Sequence, residues 1–335
     1  MPNWNTRQVG RTALRVTEMG LGTATLGARR YPITIPDGIA IAHAAWNAGI
    51  RYFDTAPFYG LGSAERVIGD ALRTEDRDSW VLSTKVGRLL RPYKGGGKNP
   101  DAGYSPMRFD VVYDYSHDGI MRSVEDSYQR LGLAKHDILF AHDLGVYQHG
   151  EEAAARHMKA FRDSGYRAMD ELRRTGVCKA IGLGVNEKAV IMEVMEFGEF
   201  DVFLLAGRYT LLEQAPLDDL LPLCEKRGAS IVVGGPLNSG ILAGRDTWNY
   251  ATAPAEIVER VTRIRAVCDQ HNVPLAAAAF QFPLAHPAVC AIIPGPRDAA
   301  EFDANVPLFH HPIPTALWSD LKTAGLLRQD APVPK

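Results

Sequence analysis

Four side chains in this sequence have the types and spacing of a proton-transfer device: Asp54, Tyr59, Lys85 and His142. Asp54 stands where the apolar run Tyr52-Phe53 stops, and Pro57 then forces a loop that carries Tyr59 next to Gly60 and Gly62. Lys85 ends the run Val81-Leu82-Ser83-Thr84, and His142 ends Ile138-Leu139-Phe140-Ala141. A free phenol has a pKa of about 10, too high for a proton shuttle near neutrality. An ammonium close by favours the phenolate, a carboxylate keeps that ammonium charged and in place, and an imidazole can donate to a substrate oxygen. This set suits proton transfer to or from an alcohol or carbonyl oxygen. It contains neither an evident nucleophile nor a metal cluster, so a separate hydride carrier is expected. Taken singly, each residue has a structural explanation: an ion pair, a hydrogen-bonded histidine, a turn-capping aspartate. Their convergence argues for chemistry.

For them to converge, each must sit at the same end of a parallel sheet. Apolar strand segments are read at 19–23, 51–55, 80–85, 137–142, 180–185, 202–209, 230–235 and 290–295. Amphipathic helices are read at 37–47, 63–73, 117–131, 153–175, 187–197, 217–227, 254–271 and 298–305, with additional helices at 275–285 and 315–327. Ser63 is the expected N-cap of the second helix, with Glu65 in its first turn, and Asp298 caps the last. Eight strands, each followed by a helix, predict a (β/α)8 barrel with polar residues of the active site at strand C-termini, which adds Asn186 to the rim. An N-terminal hairpin around Gly10 precedes it, and extra helices follow. An open doubly wound sheet is the alternative. The first strand-to-helix turn lacks GxGxxG, and no linker or composition break divides the chain, so one domain over 1–335 is expected. Residues 87–116 form a long polar connection containing Lys94-Gly95-Gly96-Gly97-Lys98. It is either a solvated loop or a wall of the substrate site.

Bulk properties exclude other classes. The chain has 335 residues, 46% hydrophobic and 23% charged, with a formal net charge of −2. That balance offers no long-range attraction for nucleic acid or anionic membrane. Cys178, Cys224, Cys268 and Cys290 lie far apart, without the spacing of a zinc site or disulfide framework. A reducing cytoplasm is expected, with no signal segment and no membrane span. His149 and His157 are expected to be exposed, and His310-His311 lacks metal-ligand spacing.

The order Asp54, Tyr59, Lys85, His142, with its contexts Gly49–Ala56, Leu82-Ser83-Thr84-Lys85 and Ile293-Pro294-Gly295, resembles the catalytic tetrad of the aldo-keto reductases. The resemblance spans essentially the whole chain. Val112-Tyr113-Asp114-Tyr115-Ser116, His142-Asp143-Leu144, the run from Leu204 to Gln214 and that from Gly234 to Gly240 are most similar to the L-fucose or D-threo-aldose 1-dehydrogenase group, with plant L-galactose dehydrogenases and microbial pyridoxal dehydrogenases as neighbours. The resemblance implies a nicotinamide dinucleotide extended across the barrel mouth. Its implied contacts are Gly22, Thr23 and Asp54; Asn186 at the carboxamide; Arg208 and Tyr209; Gly235, Leu237, Asn238, Ser239 and Gly240 at the pyrophosphate; and Gly295, Pro296, Arg297, Glu301 and Asn305 around the adenosine. A bare backbone suits the pyrophosphate role. Tyr59, His142 and Phe58 would meet the substrate.

Departures from the family pattern are Val185 for a serine, Ala206 for a glutamine, Gly234 for an aromatic, and Gly295 and Glu301 for two cations near a 2′-phosphate. Arg208 or Tyr209 would compensate at the nicotinamide. The loss of cations favours NAD, with NADP as second choice and Arg297 as the remaining fork. The implied activity is oxidation of an aldose at its anomeric hydroxyl to an aldonolactone, by a monomer or small homo-oligomer. The alternatives are an NADPH-linked aldehyde or ketone reductase and a non-catalytic cofactor-sensing subunit.

Overall fold

The computed structural model describes residues 4–97 and 99–335; Lys98, within the glycine-rich run, lies outside it. Eight parallel strands close into a (β/α)8 barrel: β1 (Leu21–Gly22), β2 (Tyr52–Asp54), β3 (Val81–Val86), β4 (Ile138–His142), β5 (Ala180–Val185), β6 (Val202–Ala206), β7 (Ser230–Gly234) and β8 (Val289–Ile293). Closure joins the first strand to the last. Met19 bridges Ile292, Gly20 N donates to Ile292 O, and Gly22 N donates to Pro294 O. The helices α1 (Ile35–Asn47), α2 (Ser63–Leu72), α3 (His117–Leu131), α4 (Val146–Ala160), α5 (Tyr166–Arg174), α6 (Lys188–Met195), α7 (Leu220–Arg227), α8 (Ala255–Gln270), α9 (Leu275–Gln281) and α10 (Ala299–Phe309) surround it, and α11 (Thr315–Thr323) follows.

Two apolar layers hold this arrangement. The strands turn alternate residues outward against the helices and inward into the barrel. Phe53, Leu82, Leu139, Ile181, Phe203 and Val233 belong to the outer layer. Tyr52, Val81, Phe140, Val202, Leu204 and Val232 fill the interior. The N-terminal hairpin, Thr6–Gln8 paired with Arg15–Thr17, contributes Val9, Leu14 and Val16 to that inner cluster. Gly10 N donates to Ser230 Oγ at the start of β7, so the hairpin plugs the N-terminal end and leaves the C-terminal end open.

Several expectations are corrected. In the connection read at 87–116 as either a solvated loop or a wall of the substrate site, Arg88–Pro92 and Phe109–Tyr113 form an antiparallel hairpin, and Leu90 packs with Leu61 and Ala102 in a small apolar cluster. The helix read at 153–175 begins at Val146 and passes through a π-helical turn, Phe161–Gly165, before α5. Gly165 allows that turn to approach the Tyr115 backbone, where a Cβ would stand 2.1 Å from the carbonyl oxygen. The strand read at 202–209 stops at Ala206, because Gly207 takes φ +66° and turns the chain. The strand read at 19–23 is only Leu21–Gly22. Ser63 is not an N-cap; Gly62 holds that position without a side-chain bond. Glu65 is fully buried, accepting from Thr84 Oγ1, Ser127 Oγ and Arg130 Nε, so α2 is tied to β3 and α3 rather than merely charge-matched.

Candidate active site

Parallel register puts Asp54, Lys85 and His142 at one level. Asp54 ends β2 opposite Ser83, Lys85 lies opposite Phe140, and His142 ends β4 opposite Gly184. All three are buried. Gly184 leaves room for the lysine stem: a Cβ there would stand 3.0 Å from Lys85 Cε. Lys85 Nζ donates to Asp54 Oδ1 at 3.0 Å, to Oδ2 at 2.8 Å and to Thr55 O at 3.0 Å. Ser83 Oγ donates to Asp54 Oδ1 at 2.6 Å. Burial raises the Asp54 carboxyl above the usual carboxylate range, and Lys85 and Ser83 oppose the rise.

Tyr59 enters from the β2–α2 loop, half-buried, its ring centroid 5.9 Å from that of His142 and edge-on to it. The four sequence-selected residues therefore meet. One expectation is reversed. The phenol is raised well above its ordinary value, first by burial, then by the carboxylates of Asp54 and Asp143; Arg88 pulls it down. Lys85 does not offset this, since its charge is matched by Asp54 and it reaches Tyr59 only over the ring, 4.9 Å from the centroid.

His142 is held neutral. Burial, then Arg88 and Lys85, push its pKa well below the ordinary value. Nδ1 is buried without a partner, while Nε2 lies 3.5 Å from Asp143 Oδ2. A carboxylate at that distance favours the tautomer protonated on Nε2, which makes the ring a neutral donor.

Asp143 and Arg88 were not singled out by the sequence reading, yet they connect the site. Asp143 adopts φ +44°. Its Oδ2 accepts from Arg88 Nη2 at 2.6 Å and its Oδ1 from Asn186 Nδ2 at 3.4 Å. The buried Arg88 guanidinium also lies 4.5 Å from the Phe58 centroid and 5.5 Å from that of Tyr113. Arg29 faces Phe58 at 4.6 Å, so that ring stands between two cations. Tyr115 OH donates to His142 O at 2.6 Å, and His149 Nε2 donates to Asp143 O at 2.8 Å. His149 and His157 are thus partners in a cluster with Tyr113 and Tyr115, not free surface histidines.

The expected cofactor residues divide into three groups. Asn186 lies beside Asp143, and Arg208 Nε donates to its carbonyl at 3.0 Å. Tyr209 does not face the mouth. After the Gly207 turn it is fully buried against Phe282 and His286, so it is a core residue. Residues 235–240 form a tight turn in which Gly235, Asn238, Ser239 and Gly240 all have positive φ. Such backbone makes concave amide surfaces that suit a pyrophosphate. At Gly22 a Cβ would stand 2.8 Å from Ile293 O. Thr23 Oγ1, Thr55 Oγ1 and Asn238 Oδ1 are buried polar atoms without partners. Unmatched polar atoms and bare backbone at one rim fit an extended, hydrogen-bonding ligand.

At the far side Thr25 Oγ1 donates to Pro296 O beside Gly295, Asp298 caps α10 as expected, and Asn305 is buried. Glu301 is not a free negative charge. It lies between Arg297 Nε at 3.2 Å and Arg245 Nη2 at 2.5 Å. Arg245, from the long β7–α8 connection, was not anticipated.

A model of the aldo/keto reductase family matches residues 18–325. The chain is 45% identical to the pyridoxal 4-dehydrogenase of Microbacterium luteolum, over 96% of this chain and 97% of that one. It is 36% identical to the D-threo-aldose 1-dehydrogenase of a Pseudomonas species, over 94% and 95%. Its structure resembles that of an aldo-keto reductase from Bacillus halodurans with a TM-score of 0.77, at 25% identity over 99% of both chains. With its barrel closed, its strand ends converging and its length matched throughout, this chain belongs to the aldo/keto reductase family and is an oxidoreductase.

Proposed function

We infer that the protein is a nicotinamide-dependent dehydrogenase of cyclic hemiacetals, oxidising the hemiacetal carbon to a lactone. The observation that carries this reading is the meeting of Tyr59 and His142 above the buried Asp54–Lys85 pair: two groups that can each engage one hydroxyl oxygen, one taking its proton and one donating to it. Pyridoxal, whose aldehyde and neighbouring hydroxymethyl close into such a ring, is placed first because of the 45% identity to a pyridoxal 4-dehydrogenase. Aldoses, cyclic hemiacetals of the same kind, come second on the 36% relative.

In this reading the hydroxyl of the hemiacetal lies between Tyr59 Oη and His142 Nε2. The phenolate form of Tyr59, a minor fraction that grows with pH because burial holds the phenol proton on, takes the hydroxyl proton; His142 orients the oxygen as a neutral donor, and Asp54 and Lys85 fix the floor beneath. Phe58, between Arg29 and Arg88, is an aromatic wall for the substrate ring. Gly22, Thr23, Asn186, Arg208, the turn from Gly235 to Gly240, and Gly295 to Arg297 with Glu301 and Asn305 would hold the dinucleotide. A bound oxidised nicotinamide would supply the hydride acceptor, and the balance would be hemiacetal and NAD to lactone, NADH and a proton. NAD is the preferred cofactor, and NADP the second.

Absorbance of the reduced nicotinamide tests the reading, with pyridoxal, L-fucose, D-arabinose and L-galactose, each with NAD and with NADP. Turnover of a hemiacetal with lactone as product supports it. Turnover only of open-chain carbonyls with NADPH would replace it with a reductase.

A further inference from the structure

The connection after β7 contains a second small hairpin, Thr247–Trp248 paired with Ala251–Thr252, whose tip is Asn249-Tyr250. Both tip residues have positive φ, +46° and +69°; Asn249 tolerates this, whereas Tyr250 is held there against the ordinary preference of a bulky side chain. The tip is tied to four strand-to-helix connections. Tyr250 N donates to Ser239 Oγ at 3.0 Å, and Asn249 Oδ1 accepts from Arg208 Nη2 at 2.8 Å. Tyr250 OH donates to Asn186 Oδ1 at 3.3 Å, and Tyr250 O accepts from Arg30 Nη1 at 3.4 Å. Those partners follow β7, β6, β5 and β1. In an eight-stranded barrel β1 and β5 are diametrically opposed, so the tip crosses the mouth.

The ring itself is fixed and still open. The Arg30 guanidinium lies 4.4 Å from its centroid, yet the residue is 45% exposed, one of the few large apolar side chains left so. Its hydroxyl begins a chain that runs through Asn186 and Asp143 to the neighbourhood of His142. A rigid aromatic surface, held at the barrel mouth by bonds to the connections after β1, β5, β6 and β7, loses little freedom when a flat ring lies against it.

We propose that Tyr250 is a specificity-determining residue: the roof of the substrate cleft, against which a planar aromatic hemiacetal stacks. It rests on the hemiacetal reading above and narrows its substrate class to flat rings, with Phe58 as the wall and Tyr250 as the roof.

Two variants test it. Tyr250→Asn removes the ring but keeps a residue that tolerates the left-handed backbone; Tyr250→Phe removes only the hydroxyl. Pyridoxal kinetics with NAD and the fluorescence-measured Kd for NADH are compared with the unaltered enzyme. The expected result for Tyr250→Asn is a KM for pyridoxal raised about fivefold to tenfold, the range of an aromatic stacking contact, with kcat and the NADH Kd within about twofold. Tyr250→Phe keeps the original KM. An unchanged KM in Tyr250→Asn overturns the roof, and so does a matching rise in NADH Kd, which would make the tip a cofactor contact instead. If the unaltered enzyme oxidises aldoses but not pyridoxal, the flat-ring substrate class falls and the hemiacetal reading stands. If it oxidises neither, the hemiacetal reading itself has failed.

Discussion

Lys85 directs all three of its N–H bonds at Asp54 and the Thr55 carbonyl, and none at the Tyr59 hydroxyl. The lysine and the aspartate form a closed, desolvated unit beneath the phenol. Tyr59 feels its surroundings chiefly through burial and through Asp54, which both hold its proton on. The pair therefore positions and insulates the site, and the phenol remains a strong-holding acid.

A buried pair of this kind is costly to halve. Lys85→Met leaves the Asp54 carboxylate without its cation, and the protein is expected to lose about 3–5 kcal/mol of stability by urea unfolding. The double variant Asp54→Asn with Lys85→Met recovers much of that loss, because no isolated charge remains. Equal destabilisation of single and double variants would show that the pair is not electrostatically coupled.

Tyr59→Phe keeps the ring against His142 and removes the proton acceptor. Turnover is expected to fall by about 10²–10⁴-fold while the Kd for NADH stays within about twofold, as measured by initial rates and by fluorescence titration. Retained turnover would move the proton-transfer role elsewhere.

The pH behaviour follows from opposite shifts. Because the Tyr59 pKa is raised, kcat/KM for oxidation is expected to keep rising with pH, with no plateau up to the free phenol value of about 10. Because the His142 pKa is depressed, no inflection is expected near pH 6.5. A pH–rate profile with a plateau near neutrality would contradict both.

Stability has its own acid limb. His136 is buried with neither ring nitrogen partnered, and burial with Arg77 and Arg130 lowers its pKa from 6.5 to about 3. The unfolded chain then binds a proton that the folded chain refuses, so stability present above pH 6.5 is lost as pH falls towards 3. His136→Phe, which retains the stack on Tyr128, is expected to remove a pH-dependent loss on the order of 5 kcal/mol across that window, measured by unfolding titrations.

Glu301 holds Arg245 and Arg297 together. Glu301→Gln releases both guanidinium groups for a 2′-phosphate, and the NADP to NAD ratio of kcat/KM is expected to rise about tenfold. An unchanged ratio would place the adenosine end elsewhere on the rim.

The sequence made the barrel legible because its strands are buried on both faces, so runs such as Ile231-Val232-Val233 stand out as continuous apolar segments. Asp54 and His142 were legible for the same reason, each being the polar residue that ends such a run; Lys85, inside Val81–Val86 after Ser83 and Thr84, was legible as a buried strand lysine near a strand end. What followed a strand end was harder. Tyr209 looks like a continuation of β6, but the positive φ of Gly207 reverses its direction and sends it into the core. Arg88 is three residues beyond Lys85, yet its position depends on pairing with Tyr113, a partner no local pattern announces. Arg245 owes its place to Glu301 in α10, 56 residues on, and Tyr250 to partners as distant as Arg30, 220 residues back.

The buried Arg88 gives the substrate wall an unusual inheritance. Its backbone begins the β3–β4 hairpin, while its guanidinium ends on Asp143 beside His142 and Asn186. A hairpin transplanted from a homologue would bring a new wall and, unless it carried an arginine at this position, would strand the Asp143 carboxylate beneath the cleft. In laboratory recombination or in natural drift, Arg88 and Asp143 must travel together, so the crossover points compatible with activity lie before β3 and beyond the β4–α4 turn.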